Sequence, residues 1–570
     1  MRTTRDDLIR EYRSRGWWSD TRITDLFDAA VRAAPARLAL LDPPNREALV
    51  GGAPRRLSFA DVSDLADGYA LRLRELGLGR DDILITQLPN IAEYVALYLA
   101  AMRLGIILSP VPMQYRRREL DEIVELTGAR AMLTVRTMKG VEHAASAVQL
   151  GVIRGLQVLC LGADSPPGTT PFTPVPLTDA ARAALRSHVA GLGISADDIA
   201  TICWTSGTEG LPKGVPRSHN HWIAISWAHL HGAGIQPGER LLNPFPLINM
   251  AAIGGCFMSW LHCAGTLLLH HPLDLPVYLR QIAVERPQYA IAPPAILNML
   301  LKDETLLAGV DLSSLRCIGS GSAPLDPDMI RGYRDRFGIE VVNIFGSNEG
   351  VSLLSNADNA TDPEHRARLF PRWGRAEIDW PAPPPSKIRT RLVDPANGEE
   401  VLEAGRSGEM QITGPTVFDG YFRAPAVTAQ SFTADGWFRT GDLFQLEGQP
   451  GDLRFYRFVG RLKQIIIRGG VKIAPEELDT VLSQMPTVLE GAVTGFRDAV
   501  MGERICAVIV PRAGSAPTLE AVRAHFAAAG MAIFKQPEKL LVIDQLPRNS
   551  VGKVMRSELA KLAEATPAPG

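Results

Sequence analysis

Seven short apolar segments, separated by helix-length sequence, constrain this chain more than any other feature. They are "DILITQL" (82–88), "AMLTV" (131–135), "VLCLG" (158–162), "ATICWTS" (200–206), "YAIAPP" (289–294), "LRCIGSG" (315–321) and "EVVNIFG" (340–346). A strand that is apolar on both faces must be covered on both faces. That is the condition of a parallel sheet carrying helices on each side, so an α/β fold is expected. Residues 58–105 display the unit in full. Ser58 caps a helix whose apolar residues recur three and four apart, and Gly77 and Gly79 stop it. "DILITQL" follows as a strand, and Asn90 is expected to open the next helix. No fixed-period repeat runs through the chain.

The pattern changes after residue 390. "KIRTRLVD", "GEMQITG", "RFYRFVG" and "QIIIRGG" read as strands of a β-rich subdomain, and "GAVTGF", "RICAVIVP" and "KLLVID" as strands of a small α+β unit. Proline and glycine cluster at 163–177 and 381–386, where surface connections are expected, and "EATPAPG" reads as a frayed tail. At 570 residues the chain is long enough for several domains. The expected division is a large N-terminal domain (1–460), a hinge (461–463) and a small, mobile C-terminal domain (464–570).

A net charge of −2 argues against a bulk electrostatic nucleic-acid binder. The six cysteines (160, 203, 256, 263, 317, 506) form no CxxC pair, which points to a reducing compartment and no structural zinc. The N-terminus lacks the apolar core of a secretory signal, and no apolar run is long enough to span a bilayer. A cytoplasmic location is expected.

One loop raises the question of chemistry. "TSGTEGLPKG" (205–214) follows the strand "ATICWTS", so it leaves a strand's C-terminal end, where open α/β sheets bind ligands. Closely spaced glycines let backbone N–H groups turn toward an anion, and Thr205, Ser206, Thr208 and Lys213 add donors. The spacing is not GxxxxGK[ST], because Lys213 follows Pro212 and precedes Gly214. "GSGSAP" (319–324) likewise fails GxGxxG, with Pro324 in the third glycine's place.

"WTSGTEGLPKGVPRSHN" resembles the phosphate loop of the adenylate-forming (ANL) superfamily of acyl-CoA synthetases, peptide-synthetase adenylation domains and luciferases. The superfamily's other signatures follow in order: "GSGSAPL" (319–325), "NIFGSNEG" (343–350), "GEMQITGPTVFDGYF" (408–422), "WFRTGDL" (437–443), "GRLKQIIIRGGVKIAPEELD" (460–479) and "LPRNSVGKVMR" (546–556). The resemblance covers roughly residues 20–560. It implies attack of a carboxylate on the α-phosphate of MgATP, release of pyrophosphate, and transfer of the acyl group from the adenylate to a thiol.

The resemblance also implies roles. Thr205, Ser206, Gly207, Thr208 and Gly210, with Lys213 and Asn348, would hold the ATP phosphates. Glu349 would hold Mg²⁺. Gly321, Ser322, Ala323, Pro324, Asn343, Ile344, Phe345 and Gly346 would surround the adenine. Asp442 would accept from both ribose hydroxyls, with Arg461 on the same sugar. Lys553 would bridge the acyl carboxylate and the α-phosphate. Because Lys553 must later withdraw, a domain rotation is implied, with Lys463 as its hinge. In the second state Gly469 and Gly470 would line the tunnel for the CoA thiol.

Three positions depart from the superfamily's pattern. Glu209 replaces a Thr or Ser, and its carboxylate is expected to point away from ATP. Asn348 replaces a Thr but still has an amide donor. Asn249 in "FPLINMAAIGG" (245–255) stands where an aromatic or His usually gates the acyl tunnel. Asn249, Met250, Ile253, Gly254, Ser320 and Val351 are expected to line the acyl pocket. Their apolar majority suits a medium-chain, alicyclic or aromatic acid. His219 and His221 are expected to cap and pack rather than catalyse. Arg468, Lys472 and Lys535 are candidates for the phosphates of CoA.

The overall look is similar to CoA ligases for medium-chain and cyclohexanecarboxylate-type acids and to dihydroxybenzoate–AMP ligases. The expected co-substrates are a small carboxylic acid, ATP and coenzyme A. The alternative acceptor is a carrier protein, and a homodimer is left open.

Overall fold

A computed structural model describes residues 1–206, 212–380, 387–449, 451–469, 471–498, 500–549 and 553–566, apart from the side chains of residues 206, 304 and 472. The chain divides into two compact units. One comprises Met1–Ala367, Trp373–Arg389 and Thr413–Phe438. The other comprises Arg368–Arg372, Thr390–Ile412 and Arg439–Gly570, so residues 461–463 fall inside it.

The first unit contains two large sheets. In one, six parallel strands run in the order Glu340–Gly346, Cys317–Gly321, Tyr289–Ile291, Arg240–Asn243, Thr266–Leu269, Leu38–Leu41. Antiparallel edge strands Ser352–Ser355 and Arg56–Ser58 close it. In the other, Ile199–Ser206, Ile107–Pro110, Ile83–Gln87, Ala131–Thr134, Gln157–Leu161 and Thr170–Phe172 are parallel, and Pro212–Ser218 lies antiparallel at one edge. All seven segments read as strands in the sequence are strands here.

Ser58 caps the helix Phe59–Glu75 by accepting from Asp61 N. The next helix, Ala92–Leu104, is buried at every residue except Arg103. Its Tyr94 hydroxyl meets Thr86 of the seven-stranded sheet, and its Tyr98 hydroxyl donates to Leu247 O beyond a strand of the eight-stranded one. Asn90 does not cap this helix. Ile91 holds the N-cap position without a side-chain bond, and the Asn90 amide donates to Phe245 O and His270 O while accepting from Leu247 N. The buried backbone polar groups of two distant loops claim that amide, which otherwise would remain unpaired at a cost.

The second unit pairs two smaller sheets. One runs Leu369–Pro371, Asp452–Arg461, Phe438–Gln449, Ser407–Thr413, Arg389–Val393. The other is built around the hairpin Val488–Asp498 and Gly502–Pro511, with Lys539–Val542 parallel to the latter. Its core is Ile466, Leu478, Leu482, Val493, Ile505, Ile509, Val522 and Phe526.

Candidate active site

Residues 207–211, and with them Gly207, Thr208, Glu209 and Gly210, lie outside the described residues. The strands on either side of them are clear: Thr205 pairs with Lys213 and Ser206 with Pro212. The glycine loop therefore joins two antiparallel strands at one edge of a sheet, and Lys213 is fixed in a strand.

Lys213 sits over the Tyr421 ring, its Nζ 5.1 Å from the ring centroid, and the Tyr421 hydroxyl donates to Glu349 Oε1 at 3.2 Å. Burial, with the Glu349 charge beside it, raises the phenol's pKa, so Tyr421 stays a donor at neutral pH. Cation, ring and carboxylate thus form one chain that starts on the strand Pro212–Ser218. Tyr421 lies within the stretch "GEMQITGPTVFDGYF", but nothing in the sequence linked it to a carboxylate 72 positions away.

Glu349 is half-buried and its carboxylate keeps acceptor capacity beyond the Tyr421 bond. Mg²⁺ is commonly held by one or two carboxylates plus substrate phosphate oxygens. No group of three His, Cys, Asp or Glu side chains among the described residues could hold a metal ion alone. A single carboxylate tied through Tyr421 to the strand that carries Lys213 is compatible with that habit.

Asn348 ties strands and helix together. Its Oδ1 accepts from Met250 N at 2.9 Å, and its Nδ2 donates to Trp204 O at 3.2 Å. One amide hydrogen is therefore committed to the backbone. Asn343, among the adenine candidates, gives its amide to Arg366 O and Ala367 O. Ser322, Ala323 and Pro324 are exposed at the end of the strand Cys317–Gly321. On the neighbouring strand Ile344 and Phe345 are half-buried and Gly346 is exposed.

On the acyl side, Asn249 is a helix cap: its Oδ1 accepts from Ala252 N, so its side chain turns into the helix start. The chain then passes through a π-helical turn, Ile253–Phe257, a geometry often found at functional sites. Met250, Ile253 and Val351 are buried, and the Met250 sulfur and the Trp222 ring crowd the face of Gly254. Ser320 is also buried, its hydroxyl committed to Ala292 O. His219 accepts from Ile23 N, and His221 completes a capping box with Ser218. Burial depresses both imidazoles, that of His219 to about 4.

In the second unit, Asp442 faces Arg461 across an antiparallel pair, Oδ1 to Nε 3.1 Å. Lys553 comes back to this pair. Its backbone is pinned by Asn549, whose N–H donates to Lys553 O and whose Oδ1 accepts from Lys553 N. Lys553 as a whole residue is exposed, but its ammonium stands among Arg461, Asp442, Glu476 and Arg556. Loss of hydration, then repulsion from Arg461, lowers its pKa from 10.5 to about 8, with Asp442 and Glu476 opposing. Glu476 was not singled out in the sequence. Its carboxylate would stand 2.7 Å from a Cβ at residue 460, so glycine there is what lets it approach.

Lys463 is exposed in a short 3-10 turn, Leu462–Gln464. Gly469 donates to Met501 O, and Gly470 lies outside the described residues. Arg468 is paired with Glu538 through two 2.9 Å bonds and Lys535 with Glu477, so neither cation is idle.

The lowered Lys553 pKa has a measurable consequence. In the role that the resemblance implies, the amine would offset phosphate charge only while protonated. Adenylation is therefore expected to fall roughly tenfold per unit above about pH 8. ATP–pyrophosphate exchange followed to about pH 10 checks this, and a flat profile would count against the assigned environment.

The fold is that of adenylate-forming ligases. The ATP-bound MatB from Rhodopseudomonas palustris superposes with a TM-score of 0.76 at 25% identity, covering 96% of this chain and 99% of that one. The family described as "AMP-binding enzyme" matches residues 37–422, and "AMP-binding enzyme C-terminal domain" matches 477–553. The chain belongs to the AMP-binding enzyme family, and is by that membership an ATP-dependent, adenylate-forming acid–thiol ligase.

Among its relatives, 2-hydroxy-7-methoxy-5-methyl-1-naphthoate–CoA ligase of Streptomyces carzinostaticus is 30% identical over 568 residues, 98% of this chain and 96% of the relative. Pyochelin synthase PchD of Pseudomonas aeruginosa is 28% identical, over 97% and 94% of the two chains. Among the described residues no helix is long and apolar enough to cross a membrane.

Proposed function

We propose that the chain converts a hydrophobic carboxylic acid, aromatic, alicyclic or medium-chain, to its adenylate and then to its coenzyme A thioester. The observation that carries this reading is the cluster in the second unit. An ammonium from the C-terminal loop stands with an Asp–Arg pair whose carboxylate can accept from ribose hydroxyls.

In the first half-reaction a carboxylate oxygen attacks the α-phosphorus and the bond to the pyrophosphate oxygen breaks. The carboxylate is already a nucleophile, so the obstacle is the meeting of two anions. Lys553 offsets the charge between them. Asp442 accepts from the ribose hydroxyls and orients the nucleotide, and Arg461 keeps that carboxylate in place. Lys213 and the backbone around 205–214 take the β- and γ-phosphates. Glu349, steadied by Tyr421, would hold Mg²⁺, which when bound neutralises phosphate charge. Lys553 then withdraws by rotation of the residues beyond the hinge at 461–463. The thiol sulfur attacks the acyl carbon, its proton leaves to solvent, and AMP departs.

Met250, Ile253, Gly254, Val351 and Trp222 favour an apolar acid, and Asn249, turned into its helix, leaves no ring at the usual gate. The naphthoate named for the Streptomyces carzinostaticus relative agrees with an aromatic acid.

The test is a panel of aromatic, alicyclic and straight-chain acids with ATP and CoA, read as AMP release and product mass. Acyl-CoA and AMP are expected. ADP among the products would reject the mechanism, and adenylate that reacts only with a carrier-protein thiol would reject the acceptor.

A further inference from the structure

Arg217 lies in the strand Pro212–Ser218, just after the glycine loop, and is fully buried. Among the described residues no carboxylate approaches it closely enough for an ion pair. Its charge goes to three peptide oxygens instead: Asn348 O at 2.8 Å, Thr416 O at 2.8 Å and His221 O at 3.2 Å. These belong to the turn before Glu349, the loop leading to Tyr421, and the first turn of the helix His219–Gly232. The guanidinium also packs over the Trp222 ring at 4.9 Å. Burial lowers its pKa only to about 10, so it stays charged at neutral pH.

A buried cation without a counter-ion is a costly way to hold a core together, and an apolar side chain would do that better. What the guanidinium offers is a rigid fork of donors that fixes several acceptors at once. One of those acceptors adjoins Glu349. The peptide before it is held by Arg217 through Asn348 O, and its own carbonyl accepts from Phe418 N. The turn is seated on the same loop from its other side. Gly350, at φ +122°, lies so close that an added Cβ would stand 2.2 Å from Thr416 O, and Thr416 Oγ1 donates to Gly350 O.

We propose that Arg217 is a positioning residue for the first half-reaction: its three-way clamp on the 347–350 turn, the Thr416 loop and the following helix sets where the Glu349 carboxylate stands. This rests on the reading of Glu349 as the Mg²⁺-holding carboxylate. The clamp acts on the metal–phosphate side alone. Transfer of the acyl group from a finished adenylate to the thiol does not depend on it.

The experiment compares wild type with Arg217→Met and Arg217→Lys. Mn²⁺ bound together with a non-hydrolysable ATP analogue is counted by electron paramagnetic resonance, alongside thioester formation from presynthesised adenylate and thermal unfolding. For Arg217→Met, Mn²⁺ affinity is expected to fall about ten- to a hundredfold, as when a group supporting a metal ligand is lost. Thioester formation should stay within about twofold, well under that metal effect. Lys, a point charge without the fork, should restore only part of the affinity.

Unchanged Mn²⁺ affinity, or equal loss in both measurements, overturns the proposal. If Arg217→Met does not fold, Gly350→Ala pushes the turn off Thr416 O, an oxygen that accepts from Arg217, while leaving the Arg217 side chain in the protein. It must weaken Mn²⁺ binding in the same way, and intact binding there also overturns the proposal. A wild-type enzyme that binds no Mn²⁺ with the analogue and activates no acid would instead reject the function proposed above.

Discussion

Lys553→Ala is expected to lose acyl-adenylate formation by about a hundred- to a thousandfold, the effect of removing one preorganised charge stabiliser. Thioester formation from presynthesised adenylate should survive largely intact. The asymmetry follows from where charge gathers. In the first half-reaction two anions approach one another, and an ammonium between them lowers the barrier. In the second, a thiol attacks the acyl carbon, the acyl–oxygen bond breaks and AMP leaves with the charge, a step for which the proposed rotation has already withdrawn Lys553.

The environment of Lys553 argues for a purpose beyond solvation. An ordinary surface lysine keeps its hydration. This one stands among Arg461, Asp442, Glu476 and Arg556 and has its pKa pulled to about 8. Exchange and thioester assays on the same preparation check the prediction. Parallel loss in both would remove the case for a lysine that serves only one step.

The parallel sheets were legible because a strand buried on both faces has no choice but to be apolar throughout. Five short parallel strands escaped notice: Leu38–Leu41, Ile107–Pro110, Thr170–Phe172, Arg240–Asn243 and Thr266–Leu269. Runs of three or four residues have no period to distinguish a strand from a helix turn. Pro212–Ser218 was hidden for a different reason. It carries Pro212 and Pro216, which argue against a strand, yet it is an edge strand, where a missing N–H can face away from the sheet.

The site shows the same division. Glycine spacing after a strand suggests an anion loop on physical grounds, although residues 207–211 lie outside the described residues. Asp442 did not announce itself: "TGDL" reads as a turn, whereas it lies within the long strand Phe438–Gln449, opposite Arg461. Only the ordered resemblance singled it out. The supporting residues were beyond reach of any local pattern. Tyr421 meets Glu349 across 72 positions and Arg217 meets Asn348 across 131, distances at which sequence spacing carries no information. Asn249 shows the reverse limit. Its departure from the usual gate residue was visible, but its use as a helix cap depends on the backbone turn that follows.

Glu349→Gln separates charge from shape at the phosphate side. The amide keeps an oxygen that can accept from Tyr421, so the chain from Lys213 through the ring survives, and the Arg217 and Phe418 bonds, which involve backbone oxygens, are untouched. What disappears is one negative charge where a hard cation would sit. Loss of a metal ligand removes several kcal/mol of transition-state stabilisation, on the order of a hundredfold or more in exchange rate. Excess Mg²⁺ should recover part of it, and thioester formation from presynthesised adenylate should change little. Tyr421→Phe is the companion variant: it leaves the charge and removes only the hydroxyl, so its loss should be smaller, about tenfold at most for one hydrogen bond. If the glutamine variant exchanged pyrophosphate at the wild-type rate across the Mg²⁺ range, Glu349 would be a structural acceptor for Tyr421 and the metal would have to be held elsewhere. A Gln loss no larger than the Phe loss would say the same, because the hydrogen bond, and not the charge, would then account for everything the carboxylate does.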